Sequence, residues 1–255
     1  MGTLAERAAE YLRGGSRSPL DIARDVLELQ RANRVVAERL VLALLGADPR
    51  FAFDLDGRWA LRPEVSLGGR PVTGLPYAVV DVETTGMHAR GVDRITEIAV
   101  VHVDGPVTTL AFESLVDPGR PIPPRITALT GIDDATVRGA PRFEDVADRV
   151  LAALAGRVFV AHNARFDLSF VRAELERSRD VILRPPLLCT VRLARRLVPE
   201  LERRNLDSVL NFFGIEIERR HRAAGDALAT AEVVRRLLAR ATERGIATWA
   251  DLSVL

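Results

Sequence analysis

The spacing of apolar positions changes near residue 66. In the first 65 residues they recur at helical intervals; from Tyr77 onward many fall in short runs of strand length. Leu4 to Leu12 reads as a helix closed by Gly14-Gly15. Ser18-Pro19 opens a second helix, Leu20 to Leu29, with proline in its first turn. A third, Val35 to Leu45, is apolar on one face and ends at Gly46. Phe51, Phe53 and Leu55 then alternate with smaller or polar residues, Asp56-Gly57 supplies a tight turn, and Trp59 and Leu61 alternate back, which predicts a hairpin. Residues 66–76 carry Gly68, Gly69, Pro71, Gly74 and Pro76, the punctuation of a linker. Strands are expected at Tyr77–Glu83, Ile95–Val103, Val107–Leu115, Val158–Ala161 and Leu187–Val191. Helices are expected at Phe143–Leu154, Asp167–Arg177, Val191–Leu197, Leu206–Phe213 and Ala223–Arg244. Three antiparallel strands followed by helix–strand alternation predict an α/β mixed sheet flanked by helices on both faces.

The expected organisation is therefore a small domain at 1–65, a linker at 66–76 and a larger domain at 77–255. Three helices and a hairpin resemble a winged helix-turn-helix. That resemblance implies docking to duplex DNA, with Arg31, Arg34 and Arg39 near the third helix. The alternative is a protein-binding or packing module. Residues 1–70 hold 11 arginines against 10 acids, so no basic stripe favours DNA.

Charge and composition narrow the classes. The formal net charge is +1, so any nucleic-acid binding must come from local patches. All 36 basic residues are arginine, the bidentate phosphate binder, although a GC-rich coding sequence is the stronger account of the bias. No run approaches the roughly 18 apolar residues of a membrane span. The N-terminus carries acids and no apolar signal core. A single cysteine, Cys189, fits a reducing cytoplasm.

The chemistry resides in carboxylates set in apolar surroundings, where a charge without a partner is costly. Asp81 and Glu83 are two apart on an expected strand, so both face one side. The turn Thr84-Thr85-Gly86 follows, and Gly86 would allow close approach of a substrate. Asp167 lies near a helix start; taken singly, it could equally balance the helix dipole. His221 and Asp226 are five apart, about 140° on one helix, so His221 is placed in the loop before the helix and Asp226 on its first turns. A histidine titrates near neutrality and can act as general base. Taken singly, this one reads as a surface group among Arg219, Arg220 and Arg222.

Together the segments DVETTG, HNARFD and HRAAGDALAT resemble the three motifs of the DEDDh 3′–5′ exonucleases, the family of the proofreading epsilon subunit of bacterial DNA polymerase III. PRITALTGI, residues 124–132, is similar to a further segment of that family. The resemblance runs from about Tyr77 to about Gly245 and implies a ribonuclease H-like fold. It implies two divalent ions, Mg²⁺ or Mn²⁺, with Asp81, Glu83 and Asp226 holding the first and Asp81 bridging to the second with Asp167. It implies His221 as the base, and backbone groups near Thr84 and Thr85 with the side chains of Met87, Asn163 and Phe166 as holders of the 3′-terminal nucleotide. Glu97 would support the site or serve the fold. One departure is Cys189, where many relatives carry Asp.

The leading expectation is removal of nucleoside 5′-monophosphates from single-stranded DNA 3′ ends, in repair or proofreading. RNA trimming by the same chemistry is the second, and a non-catalytic DNA-binding or regulatory protein the third. A polymerase or a repair protein is the expected partner class. The N-terminal unit is unlike a plain epsilon subunit, which favours a stand-alone or repair-associated nuclease. Some relatives fuse a similar nuclease to a UvrC-like endonuclease domain, so a short form or a piece of such a fusion is expected.

Overall fold

The computed structural model describes residues 3–46, 48, 50–53, 57–62, 67–217 and 220–255. The chain divides into two compact units, Met1–Gly69 and Arg70–Leu255.

The first unit contains α1 (Leu4–Leu12), α2 (Pro19–Asp25), α3 (Arg34–Leu45) and a hairpin of β1 (Phe51–Phe53) and β2 (Trp59–Leu61). Thr3 and Ser18 start their helices through reciprocal bonds with Glu6 and Asp21, and the Asn33 side chain caps α3. Leu12, Ile22, Val41, Phe51 and Trp59 close the core. Helix α2 stops four residues short of the expected Leu29, because Val26 ends it and Glu28 takes a left-handed φ of 61°. Leu55 and Asp56 of the expected hairpin lie outside the described residues. The outer side of α3 exposes Val35, Val36, Leu40 and Leu42, and Arg34 is bonded to Glu38 at 2.7 Å.

The second unit is a five-stranded sheet in the order β5-β4-β3-β6-β7. Its strands are β3 (Pro76–Thr84), β4 (Ile95–Asp104), β5 (Val107–Leu115), β6 (Val158–Ala161) and β7 (Leu187–Cys189). β3, β4 and β5 are antiparallel; β6 and β7 run parallel to β3. The helices are α4 (Pro124–Thr130), α5 (Phe143–Leu154), α6 (Ala164–Arg179), α7 (Thr190–Leu197), α8 (Leu206–Phe213), α9 (Ala223–Glu243) and α10 (Trp249–Ser253). Ala78, Val80 and Val82 on β3 join Ile98, Val100 and Phe112 beneath α5 and α6 in one core. The alternate residues of β3, including Asp81 and Glu83, face the opposite side. α9 packs against β3 and β4 through residues outside that core.

Three expectations change. Residues 70–76 do not act as a free linker: Val72 N–H donates to Ala247 O, Trp249 N–H donates to Arg70 O, and the buried Tyr77 hydroxyl donates to Val72 O at 2.5 Å. β7 ends at Cys189 rather than Val191, since Thr190 already begins α7. α6 begins three residues before Asp167, because Asn163 turns the chain into it with a left-handed φ of 72°. Helices α4 and α10, of 7 and 5 residues, are too short to leave a periodicity. Among the described residues no helix is long and apolar enough to cross a membrane.

Candidate metal centre

Three of the predicted acids meet. Each of Asp81, Glu83 and Asp226 offers a carboxylate oxygen, and these oxygens lie within 4.8 Å of one another. Asp81 and Glu83 share a face of β3 because strand side chains alternate; they sit opposite Ala99 and Glu97 of β4. A register shift follows at Glu83/Thr84, where the strand leaves the ladder. Asp226 is the fourth residue of α9 and its side chain is buried.

Asp167, 3% exposed, comes from the first turn of α6. Its Oδ1 accepts the Val82 N–H at 3.3 Å. β6 pairs with β3 only as far as Val79, so the carboxylate takes a ladder position that β6 leaves open. Asp167 thus stands beside Asp81 and adds to the negative potential there.

The four carboxylates are crowded and poorly solvated. Burial, then Asp167, Glu83 and Asp226, push Asp81 well above the usual carboxylate range. Burial, then Asp226 and Glu97, push Glu83 up to about 7. Burial raises Asp167 and Asp226 as well, the latter against the pull of Arg220. Asp226 Oδ1 is buried and accepts no hydrogen bond. An all-oxygen donor set with unanswered charge and an orphaned carboxylate oxygen fits a hard divalent cation such as Mg²⁺ or Mn²⁺.

One cation of the chain already reaches the cluster. Arg220 Nη1 donates to Asp226 Oδ2 at 2.5 Å, and Nε donates to Asp207 Oδ1 at 2.6 Å. Sequence reasoning placed Arg220 among surface charges. The only signal was its place in a run of arginines just before the third acidic segment. His221, next in the chain, lies in the turn before α9, half-buried, with a left-handed φ of 58°. It is not among the residues whose ligand atoms meet.

Glu97 fixes the approach of α9. It is 1% exposed, accepts from Arg222 Nη2 at 2.6 Å, and accepts the Ala223 N–H at 2.8 Å. The first backbone N–H of α9 is thereby anchored to β4, which sets Asp226 over β3. His162 accepts at Nδ1 from the Thr190 hydroxyl (2.8 Å) and donates from Nε2 to Arg204 O (2.9 Å). Burial holds this imidazole down to about 4, so it is neutral.

The residues expected to hold a nucleotide divide. Thr84 and Thr85 are buried, and their hydroxyls serve the loop: Thr84 Oγ1 donates to Gly86 O at 2.6 Å, and Thr85 Oγ1 accepts from Arg94 N–H at 3.0 Å. Gly86 lacks a side chain because the Asp93 carboxylate fills that space. Met87 is exposed. Asn163 is exposed at the start of α6, and Phe166, half-buried, packs its ring 5.0 Å from Phe170. Cys189 is a half-buried free thiol at the end of β7.

A mixed sheet of this order, flanked by helices and carrying acids on its central strand, is a ribonuclease H-like fold. The sequence profile of the RNase_T family, described as exonuclease, matches residues 78–234. The chain belongs to this exonuclease family. A Rhodobacter capsulatus protein named DNA polymerase III subunit epsilon-like protein is 41% identical over 206 residues, covering 78% of this chain and 28% of that protein. The Aquifex aeolicus DNA polymerase III subunit epsilon is 35% identical over 162 residues, covering 64% of this chain and 80% of its own length. A Mycobacterium tuberculosis protein named as a putative bifunctional exonuclease/endonuclease is 38% identical, over 76% of this chain and 30% of its length. This chain thus spans less than a third of the first and last of these relatives. Among solved structures, exonuclease X in complex with 5′-overhanging duplex DNA superposes with a TM-score of 0.53 at 27% identity, over 70% of this chain and 98% of that one.

Proposed function

We propose that this chain is a metal-dependent 3′–5′ exonuclease that releases nucleoside 5′-monophosphates from the 3′ ends of single-stranded DNA, in DNA repair or proofreading. The observation that carries the reading is the buried, unpartnered Asp226 Oδ1 inside the Asp81–Glu83–Asp226 cluster. Asp81, Glu83 and Asp226 would hold one Mg²⁺ or Mn²⁺, and Asp81 with Asp167 a second. Such a pair supplies charge stabilisation at the attacking and leaving oxygens of an in-line phosphoryl displacement.

The chain's own groups do the rest. His221 would accept the proton of the attacking water at a ring nitrogen. Arg222 and Glu97 hold the start of α9, so Asp226 keeps its place through the reaction. Exposed Met87 and the half-buried ring of Phe166 would flank the terminal base, an interaction that tolerates any sequence. Asn163 and the backbone at Thr84 and Thr85 would hold the terminal sugar and phosphate.

The test is a gel assay on matched 5′-labelled DNA and RNA oligonucleotides with Mg²⁺, Mn²⁺ or EDTA, beside Asp81→Ala. A metal-dependent ladder shortening from the 3′ end, absent in the variant, is expected, with DNA the faster substrate. Faster cutting of RNA would move the substrate class. No degradation of either would overturn the enzyme reading.

A further inference from the structure

Helix α7 has two unlike faces. Thr190, Leu193, Ala194 and Leu197 are buried, whereas Arg192, Arg195 and Arg196 are exposed. Positions i, i+3 and i+4 are neighbours on a helix, so three guanidiniums crowd one face, where like charges repel. Among the described residues no acid pairs with them. The chain has no acidic residue between Asp180 and Glu200, and Glu200 is held by Arg240 at 3.0 Å.

A fourth arginine joins from another element. Arg165 lies in the first turn of α6, where the positive end of the helix disfavours a cation. Arg165, Arg192 and Arg195 line one cavity of about 390 Å³ together with Asn163 and Cys189. Arg192, Arg195 and Arg196 line a second of about 360 Å³. Arg196 accepts a bond only through its backbone carbonyl, from Arg244. Among the described residues none of these four guanidiniums takes part in an ion pair.

The cluster is held in register with the carboxylates. Asn163 precedes α6, whose fourth residue is Asp167. The bond from Thr190 to His162 ties the first residue of α7 to the same turn. A cavity rimmed by arginines therefore opens at Asn163, four residues before Asp167 of α6.

We infer that Arg165, Arg192, Arg195 and Arg196 form the track that carries the phosphodiester backbone of a single strand toward that centre; this rests on the exonuclease reading. Four unpaired guanidiniums on a chain with a net charge of +1 concentrate positive potential where phosphates must pass. Arginine also offers the forked donors that phosphate oxygens accept. The acids beyond the track repel phosphate until cations are bound, so the track supplies the metal-independent part of the affinity.

The experiment measures fluorescence anisotropy of a 5′-fluorescein thymidine 16-mer in EDTA from 50 to 200 mM salt. It compares the wild-type chain with the quadruple variant Arg165→Gln/Arg192→Gln/Arg195→Gln/Arg196→Gln and the double variant Arg192→Gln/Arg195→Gln. Arg235→Gln/Arg236→Gln, on α9 and paired with Glu232, serves as control. Melting curves verify folding, and Mn²⁺-dependent degradation of the same oligonucleotide by the wild type is followed in parallel.

The expected result is a rise in Kd of about 10- to 100-fold for the quadruple variant, and a salt slope smaller by about 2–3, since each phosphate of a single strand that is no longer neutralised lowers the slope by about 0.7. The double variant should show about half of the slope change and the control none. Wild-type affinity in the folded quadruple variant, with degradation by the wild type intact, would overturn the track and leave the exonuclease reading standing. Failure of the wild type to degrade the oligonucleotide would sink both.

Discussion

Arg220 Nη1 stands 2.5 Å from Asp226 Oδ2 while Oδ1 of the same carboxylate is buried without a partner. The carboxylate is thus half answered, by a monovalent cation from the preceding turn. The same guanidinium holds Asp207 and opposes the rise in the Asp81 carboxyl. It places positive charge beside the site proposed for a divalent ion.

Arg220→Gln should therefore uncouple stability from metal affinity. Without the guanidinium, the metal-free protein loses its charged hydrogen bonds to Asp207 and Asp226, the buried one to Asp226 worth about 1.5 kcal/mol. Its Tm in EDTA should fall, whereas calorimetric Mn²⁺ affinity should rise by several-fold, because a competing cation is gone. Weaker Mn²⁺ binding by this variant would mean that Arg220 assists the site.

Asp81→Asn should stabilise the metal-free chain. Burial and three neighbouring acids make the ionised Asp81 unfavourable, so a neutral amide relieves the cluster. The variant should melt higher than wild type in EDTA, gain little from Mn²⁺, and lose at least 100-fold in kcat/KM. Thermal melts with and without Mn²⁺ check the first two points, and a steady-state assay the third.

Glu97→Gln should act at a distance. Its carboxylate receives Arg222 and the Ala223 N–H, and so seats α9. An amide keeps the shape and loses the ion pair. Groups that support metal ligands typically alter metal affinity by about 10- to 100-fold, and a loss in that range is expected by Mn²⁺ titration, with the family fold retained by circular dichroism.

His162 gives a pH signature separate from the acids. It is held down to about 4 in the folded chain, against an ordinary 6.5. Between those values the unfolded chain binds a proton that the folded one does not, so stability falls as pH drops from about 6.5 to about 4 and is flat from this source above it. The shift corresponds to a loss on the order of 3 kcal/mol. Urea midpoints from pH 7.5 to 4.5 should fall less steeply for His162→Gln, and equal slopes would contradict the assignment.

The site was legible to different depths. Asp81 and Glu83 could be read because period two on a strand needs no knowledge of the rest of the fold, and the structure has both on one face of β3. The separation of His221 from Asp226 could be read because five helical steps put them on different faces; α9 indeed starts between them, at Ala223. The meeting of Arg222 with Glu97, 125 residues apart, could not be read, nor could that of Arg94 with Glu174, 80 apart. Both depend on how helices settle on the sheet. The true start of α6 was hidden because Asn163 takes a left-handed turn without capping the helix through its side chain. The use of the Thr84 and Thr85 hydroxyls within the loop could not be read either, because it depends on how the chain folds back between them and Arg94.

The most direct test is the chemistry of the product. A single-turnover reaction on a DNA oligonucleotide with a free 3′-hydroxyl, with Mn²⁺ or EDTA, is quenched and analysed by mass, for the wild type and Asp226→Asn. Successive nucleoside 5′-monophosphates from the 3′ end, with Mn²⁺ only and from the wild type only, are predicted. Internal cuts, nucleoside 3′-monophosphates, or release that survives EDTA would contradict a metal-dependent 3′–5′ exonuclease built on Asp81, Glu83 and Asp226.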